Sequence, residues 1–221
     1  MSNMNDPASS PAASTEASAA ERAYLVTKAR ILRGDLAGGA SLSETTVCQE
    51  LGLSRTPVHE AFLRLAADEL LTLESRKGAV VRPMSPSEAD DVVEMREAVE
   101  AAAAARAISI DRGDLARELA DQLAIQEDCV TRGDIDGFID ADDAFHTAVI
   151  AASRNPIASH FARILHDRAQ RVRHQLIRVR PEHLAVTLDD HRELAAAIDA
   201  GDAEAYRRVL ARHVDILRGI L

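Results

Sequence analysis

The sequence contains no tryptophan, and among its 221 residues only two tyrosines and four phenylalanines. Apolar residues nevertheless make up 47% of the chain, enough for a substantial core, and Ala, Leu, Glu, Asp and Arg dominate. Long helices are the expectation from that composition. Cysteine is nearly missing as well. Cys48 and Cys129 are the two present, and neither their number nor their spacing fits a disulfide framework or a thiolate metal site. A reduced, cytoplasmic home is expected. There is no run of about 18 or more apolar residues, so no membrane-spanning helix is expected. The opening MSNMNDPASSPAASTEASAA has neither a basic stretch nor an apolar one and is not read as a signal peptide. Its Ser, Ala and Pro content suggests a disordered tail over residues 1–20, with Pro7 and Pro11 opposing a helix on its alanines.

Net basic charge is also missing. The total is −10, which at first sight argues against a nucleic-acid partner. The deficit is unevenly spread. Residues 1–20 carry −2, residues 21–85 carry +1 and residues 86–221 carry −9. Such asymmetry points to two modules with different tasks.

In the first module, Tyr24, Leu25, Ile31 and Leu32 recur at helical spacing between Glu21 and Gly34. The segment SLSETTVCQELG starts with an N-cap pattern, Ser41 or Ser43 ahead of Glu44, and ends at Gly52. Ser54 can cap a further helix that tolerates Pro57 in its first turn and buries Val58, Ala61, Phe62 and Leu65. Gly52-Leu53-Ser54 leaves helix-turn-helix spacing between the two. LLTLE and AVVRP then form a β-hairpin whose tip, Ser75-Arg76-Lys77-Gly78, is basic. A helix-turn-helix followed by such a hairpin is a winged helix: one helix suits the major groove, and the wing can reach the backbone beside it.

This region, LSETTVCQELGLSRTPVHEAFLRL with the following RKGAVVRPMS, resembles the GntR family of bacterial transcription regulators. The resemblance implies DNA contact by Ser54, Arg55 and Thr56 at the start of the recognition helix and by Arg76, Lys77 and Gly78 at the wing. Two positions depart from the family pattern. Thr45 stands where an arginine is common, and Val58-His59-Glu60-Ala61 replaces Val-Arg-Glu-Ala. Thr45 and His59 therefore belong to the same candidate surface, with fewer phosphate-attracting cations and a possible change in the bases read. Arg64, late in the helix, is expected to be structural.

From residue 86 onward six helices and no strands are expected, over 87–109, 112–132, 134–153, 156–179, 182–199 and 203–220, with breaks at Gly113, Gly133, Asn155-Pro156, Pro181 and Gly201. The fold class is mainly α: a winged helix ahead of an antiparallel helical bundle. In DADDAFH, Asp142 and His146 lie one turn apart on a face shared with Phe138, Ile139, Val149 and Ile150. His191 shares a stripe with Leu194, Ala195 and Ile198, and His213 one with Tyr206, Leu210 and Leu217. Three inward imidazoles and one carboxylate on three helices suit Zn first, then Ni, Mn or Fe. Each histidine taken alone is read as a core residue bonded to a carbonyl or carboxylate before it is read as a ligand, and periodicity does not show that the three converge. His160, His166, His174 and His183 lack the stripe and are read as surface or packing residues.

The second module resembles the FadR-type C-terminal ligand-binding domain (FCD) through EMREAVEAAAA, DADDAFHTAVIAASRNP, DDHRELAAAIDAGDAEA and LARHVD. This resemblance implies a divalent metal on Asp142, His146, His191 and His213, used to hold a small carboxylate effector. It also implies a cavity-facing Arg96, which reads alternatively as an ion-pair partner of Glu100 at i+4. Six helices rather than seven would place the chain in the shorter, vanillate-regulator-like group. The implied function is a homodimeric, ligand-responsive repressor on a palindromic operator. From a different class comes a metal-dependent, hydrolase-like enzyme with an accessory DNA-binding domain, since three histidines and an aspartate could activate water. In a third reading the four residues are a metal-free polar core.

Overall fold

The computed structural model describes residues 18–74, 78–110, 112–180 and 182–218. The wing-tip residues Arg76 and Lys77 and most of the expected tail lie outside the described residues. Helix α1 (Ala19–Leu32) begins two residues before the expected end of that tail, because the Ser18 hydroxyl accepts a hydrogen bond from the Glu21 amide and caps it. The helix buries Tyr24, Ile31 and Leu32, but Leu25 turns to solvent, so only part of the expected stripe packs.

A two-residue strand β1 (Ser41–Leu42) precedes α2 (Glu44–Leu51). Ser43, not Ser41, caps α2 by accepting from the Thr46 amide, and Gly52 ends it in the left-handed conformation that glycine adopts without penalty. Helix α3 (Arg55–Ala67) follows. Ser54 occupies its N-cap position, though its side chain makes no capping bond. Val58, Ala61, Phe62 and Leu65 are buried as expected. Strands β2 (Leu71–Glu74) and β3 (Gly78–Val81) are antiparallel, and β1 pairs on the far side of β3, so the sheet order is β1-β3-β2. A hydrogen-bonded third strand this short carries too little pattern to be read from sequence.

Six helices form the second module: α4 (Pro86–Ile110), α5 (Gly113–Arg132), α6 (Ile135–Ala152), α7 (Pro156–Val179), α8 (His183–Ala200) and α9 (Ala203–Asp215). Among the described residues of this part there is no strand. The alanine-rich stretch of α4 buries Ala103, Ala104 and Ala107, and these small side chains let α4 lie against α6, α7 and α9. Helix α6 is buried on most of its surface and is the central element, with α5 and α8 closing the other side. Separate apolar cores fill the two modules.

The modules meet along α7. Lys28 of α1 lies 2.7 Å from Asp167, and Arg168 pairs at 2.5 Å with Glu69. Arg171 donates at 2.7 Å to the Arg82 carbonyl. Arg64 is structural, pairing with Glu21 at 2.7 Å and stacking over the Tyr24 ring.

Candidate metal centre

Aspartate caps position the helices that carry the polar cluster. Asp134 accepts from the Gly137 amide at the start of α6, and Asp202 accepts from the Ala205 amide at the start of α9. The core then brings Asp142, His146, His191 and His213 together. All four are buried, and each offers a ligand atom within 4.8 Å of the others.

Hydrogen bonds on the far side of the rings determine what faces the centre. His146 Nδ1 lies 2.6 Å from Glu100 Oε1, and a carboxylate only accepts, so the proton sits on Nδ1. His191 Nδ1 likewise lies 2.6 Å from Gln126 Oε1, and the Gln126 amide is oriented by its own donation to the Ala141 carbonyl at 3.3 Å. The two Nε2 lone pairs are therefore turned inward, 3.2 Å from each other. Asp142 Oδ1 is 3.3 Å from His191 Nε2 and 3.9 Å from His146 Nε2, and it accepts no hydrogen bond. His213 presents Nδ1 to Asp190 Oδ2 at 3.6 Å, while Arg212 grips the other oxygen of Asp190. Facing acceptors without a donor between them are costly when buried. A cation placed among them removes that cost, so the donor set fits a metal, and three imidazoles with one carboxylate suit a borderline divalent ion. Support of each ligating ring by an outer acceptor is the usual arrangement at metal sites.

The protonation states agree with ligation. Burial pushes His213 down to about 3, so its imidazole is neutral at pH 7. His191 is likewise lowered by burial, with Asp142 opposing. Burial alone would raise Asp142, but the Arg173 guanidinium and neighbouring imidazoles hold it well below the usual carboxylate range. Glu100 behaves similarly. Its burial is outweighed by His146, Arg96 and the Tyr206 hydroxyl, which donates at 2.6 Å, and it falls to about 2.

Arg96 lies beside Glu100 and also borders a cavity. Its Nε lies 3.8 Å from Glu100 and its Nη2 4.0 Å from Asp142, yet Nη1 and Nη2 are buried without a hydrogen-bond partner. It lines a cavity of about 430 Å³ between α4, α6 and α7.

Glu100, Gln126, Asp190 and Arg173 were missed by sequence reasoning as partners of the site. Glu100, together with Arg96, interrupts the apolar inward stripe of α4, and Gln126 interrupts that of α5, which is the available signal. His166, read as surface or packing, lines the cavity 3.7 Å from Asp143, and His174 is buried 3.8 Å from Asp136.

On the winged helix, Thr45, Ser54, Arg55, Thr56 and His59 are all exposed. Arg55 and His59 converge on Glu44, at 3.0 and 2.6 Å, and the Arg55 side chain is 84% exposed. Gly78 has a structural reason of its own: at φ +95° a Cβ there would lie 2.5 Å from the Leu42 carbonyl oxygen.

Residues 19–81 match the model of the bacterial regulatory proteins of the gntR family, and residues 91–216 match that of the FCD domain, more than half of the chain. The chain belongs to the GntR family. It is a DNA-binding transcription regulator of the branch that couples a GntR winged helix to a FadR-like, ligand-binding FCD domain. Among its relatives is the HTH-type transcriptional repressor RspR of Escherichia coli K12, 29% identical over 191 residues, which span 84% of this chain and 83% of that protein. Among solved structures, E. coli McbR/YncC superposes with a TM-score of 0.78 at 26% identity, covering 90% of this chain and 95% of that one. A GntR-type regulator from Rhodococcus sp. RHA1 gives 0.75 at 27%, with the same coverage. GntR regulators contact operator DNA through this helix-turn-helix, and no described helix is long and apolar enough to cross a membrane.

Proposed function

We propose that this GntR regulator is a homodimeric repressor that holds one divalent metal ion on Asp142, His146, His191 and His213 and senses a small carboxylate beside it. The observation that carries the reading is the inward-facing pair of Nε2 atoms, each oriented from behind by Glu100 or Gln126. Zinc is the first candidate, with nickel or manganese next. Such an ion offers open coordination positions that a carboxylate can take. Arg96, with its unpartnered guanidinium nitrogens, is placed to pair with the same anion. The repressor names borne by relatives such as RspR support the direction of regulation. In a dimer, two recognition helices meet a palindromic operator. Elemental analysis of tag-free protein tests the centre: about one transition metal per chain is expected, and metal-free protein after incubation with Zn, Ni and Mn would rule it out.

DNA contact falls to Thr45, Ser54, Arg55, Thr56 and His59, with Arg76, Lys77 and Gly78 at the wing. Arg55→Ala is expected to weaken operator binding by about 1–3 kcal/mol if its guanidinium reads a base edge. A gel-shift titration with unchanged affinity would remove Arg55 from the interface.

Helix α7 is suited to carry the response. His166 lines both the cavity near Asp143 and the cleft between the modules, and the next two residues, Asp167 and Arg168, are ion-paired to the winged helix. Asp167→Asn is expected to shrink the ligand-induced change in operator affinity at least about threefold, because a coupling free energy depends on contacts that differ between two states. Metal content should stay as in the wild type. A full response in the variant would place the coupling elsewhere.

A further inference from the structure

The cavity beside the metal ligands is built as a gradient. Its floor is charged and buried: Arg96, Glu100, His146 and Arg173. Its walls are mostly apolar, with Val99 of α4, Ile150 of α6, and Ala162, Leu165 and Ala169 of α7, and with Thr147 and His166 as polar members. Val99, Ile150 and Ala162 pack in one small apolar cluster that bridges the three helices. Ser159 and Arg163, both exposed, stand at the outer end. A polyhydroxylated ligand would press hydroxyl groups onto these walls, where they lose water and find few partners.

Charge limits the ligand from the other end. Glu100, Asp142 and Asp143 are three carboxylates, set against the two guanidiniums of Arg96 and Arg173, a balance of −1. A divalent cation on the four ligands changes that balance to +1. One added carboxylate then makes the buried floor neutral, whereas a second held on that floor would return it to −1.

From the mostly apolar walls, the Arg96 Nη1 and Nη2 that lack a hydrogen-bond partner and this balance we infer that the effector is a monocarboxylate with a compact apolar body, such as a single ring or branched chain, and neither a sugar acid nor a diacid that sets both carboxylates on the floor. The acid group meets Arg96 on the floor and the body lies along Val99, Ile150 and Ala162. A volume of about 430 Å³ accommodates a ligand of that size. The inference rests on the metal-centre reading above.

The test is calorimetric titration of metal-loaded, full-length protein with four probes on one carbon skeleton: cyclohexanecarboxylate, its neutral carboxamide, cyclohexane-1,1-dicarboxylate and polyhydroxylated quinate. Cyclohexanecarboxylate should bind at least about 10-fold more tightly than each of the other three, the expected scale for one lost ion pair or several unsatisfied hydroxyls. Val99→Thr, which puts a hydroxyl on the wall at nearly constant volume, should narrow the gap to quinate several-fold while metal content is unchanged. Quinate or the dicarboxylate binding equally well or better overturns the inference and leaves the metal centre standing. So does metal-loaded protein that takes none of the four. Protein that holds no metal and binds no probe overturns both readings.

Discussion

His191→Ala should lower metal affinity by at least about 100-fold and bring purified protein from about one ion per chain to nearly none. His191 is fully buried, and its Nε2 faces both His146 Nε2 at 3.2 Å and Asp142 Oδ1 at 3.3 Å, so its loss removes the ligand atom that contacts two of the other three. The ring also stacks on Phe145 with centroids 4.6 Å apart, so the substitution leaves a small void, and circular dichroism should accompany the metal measurement. A second variant separates ligation from packing. Gln126→Leu keeps every ligand and nearly the same volume but removes the acceptor that orients the His191 ring. Loss of such an outer partner typically costs 10–100-fold in metal affinity. If Gln126→Leu binds metal like the wild type, the ring is held by packing alone and the hydrogen bond is incidental. If His191→Ala folds and still retains a full complement of metal, the centre is elsewhere.

Arg173→Met is expected to destabilise metal-free protein by about 3–5 kcal/mol, the scale for removing one partner of a buried charge pair. Arg173 is buried, its Nη1 lies 2.5 Å from Asp142 Oδ2, and its Nη2 pairs with Asp143. Burial lowers the guanidinium to about 10 against the pull of Asp142, so it remains charged at pH 7. Methionine preserves much of the volume, which leaves the cost chiefly electrostatic. Metal-loaded protein should lose less, because a cation on Asp142 replaces part of the missing charge. Arg173→Lys should recover only part of the stability, since a point charge cannot bridge two carboxylates as a planar fork does. Urea denaturation of each form, with and without metal, measures all of these differences. A loss below about 1 kcal/mol for Arg173→Met without metal would mean that the neighbouring carboxylates reach water or take up protons at little cost.

Local signals carried much of the architecture. Ser43 and Gly52 bracket α2 because a hydroxyl cap and a left-handed terminus are properties of a few consecutive residues. Gly133, Gly201 and the Asn155-Pro156 break separate bundle helices for the same reason, whereas Gly113 is the first residue of α5, and the ends of α4 to α8 fall within one or two residues of the sequence expectation. The sixth bundle helix, α9, stops earlier, at Asp215, with Ile216 to Arg218 in a turn. The inward direction of Asp142, His146, His191 and His213 was also legible, since a 3.6-residue period relates a side chain to the apolar stripe of its own helix.

Convergence was not legible from that period. Whether α6, α8 and α9 aim their polar residues at one point depends on how far each helix slides and rotates against its neighbours, which the packing of Phe145, Leu194, Tyr206 and Leu210 decides. The same holds for the groups behind the ligands. Glu100 and Gln126 come from α4 and α5, 46 and 65 residues away from the histidines they orient, and neither forms a sequence motif with them. Arg173, on α7, looks like one more arginine in a basic helix until burial places it between Asp142 and Asp143. By itself the sequence determined the helices, the hairpin, the module order and the family, though not the short strand β1, because caps, breaks and periodicity act over a few residues. Only the tertiary structure decided which buried charges meet, because that balance depends on distance and desolvation between helices far apart in the chain.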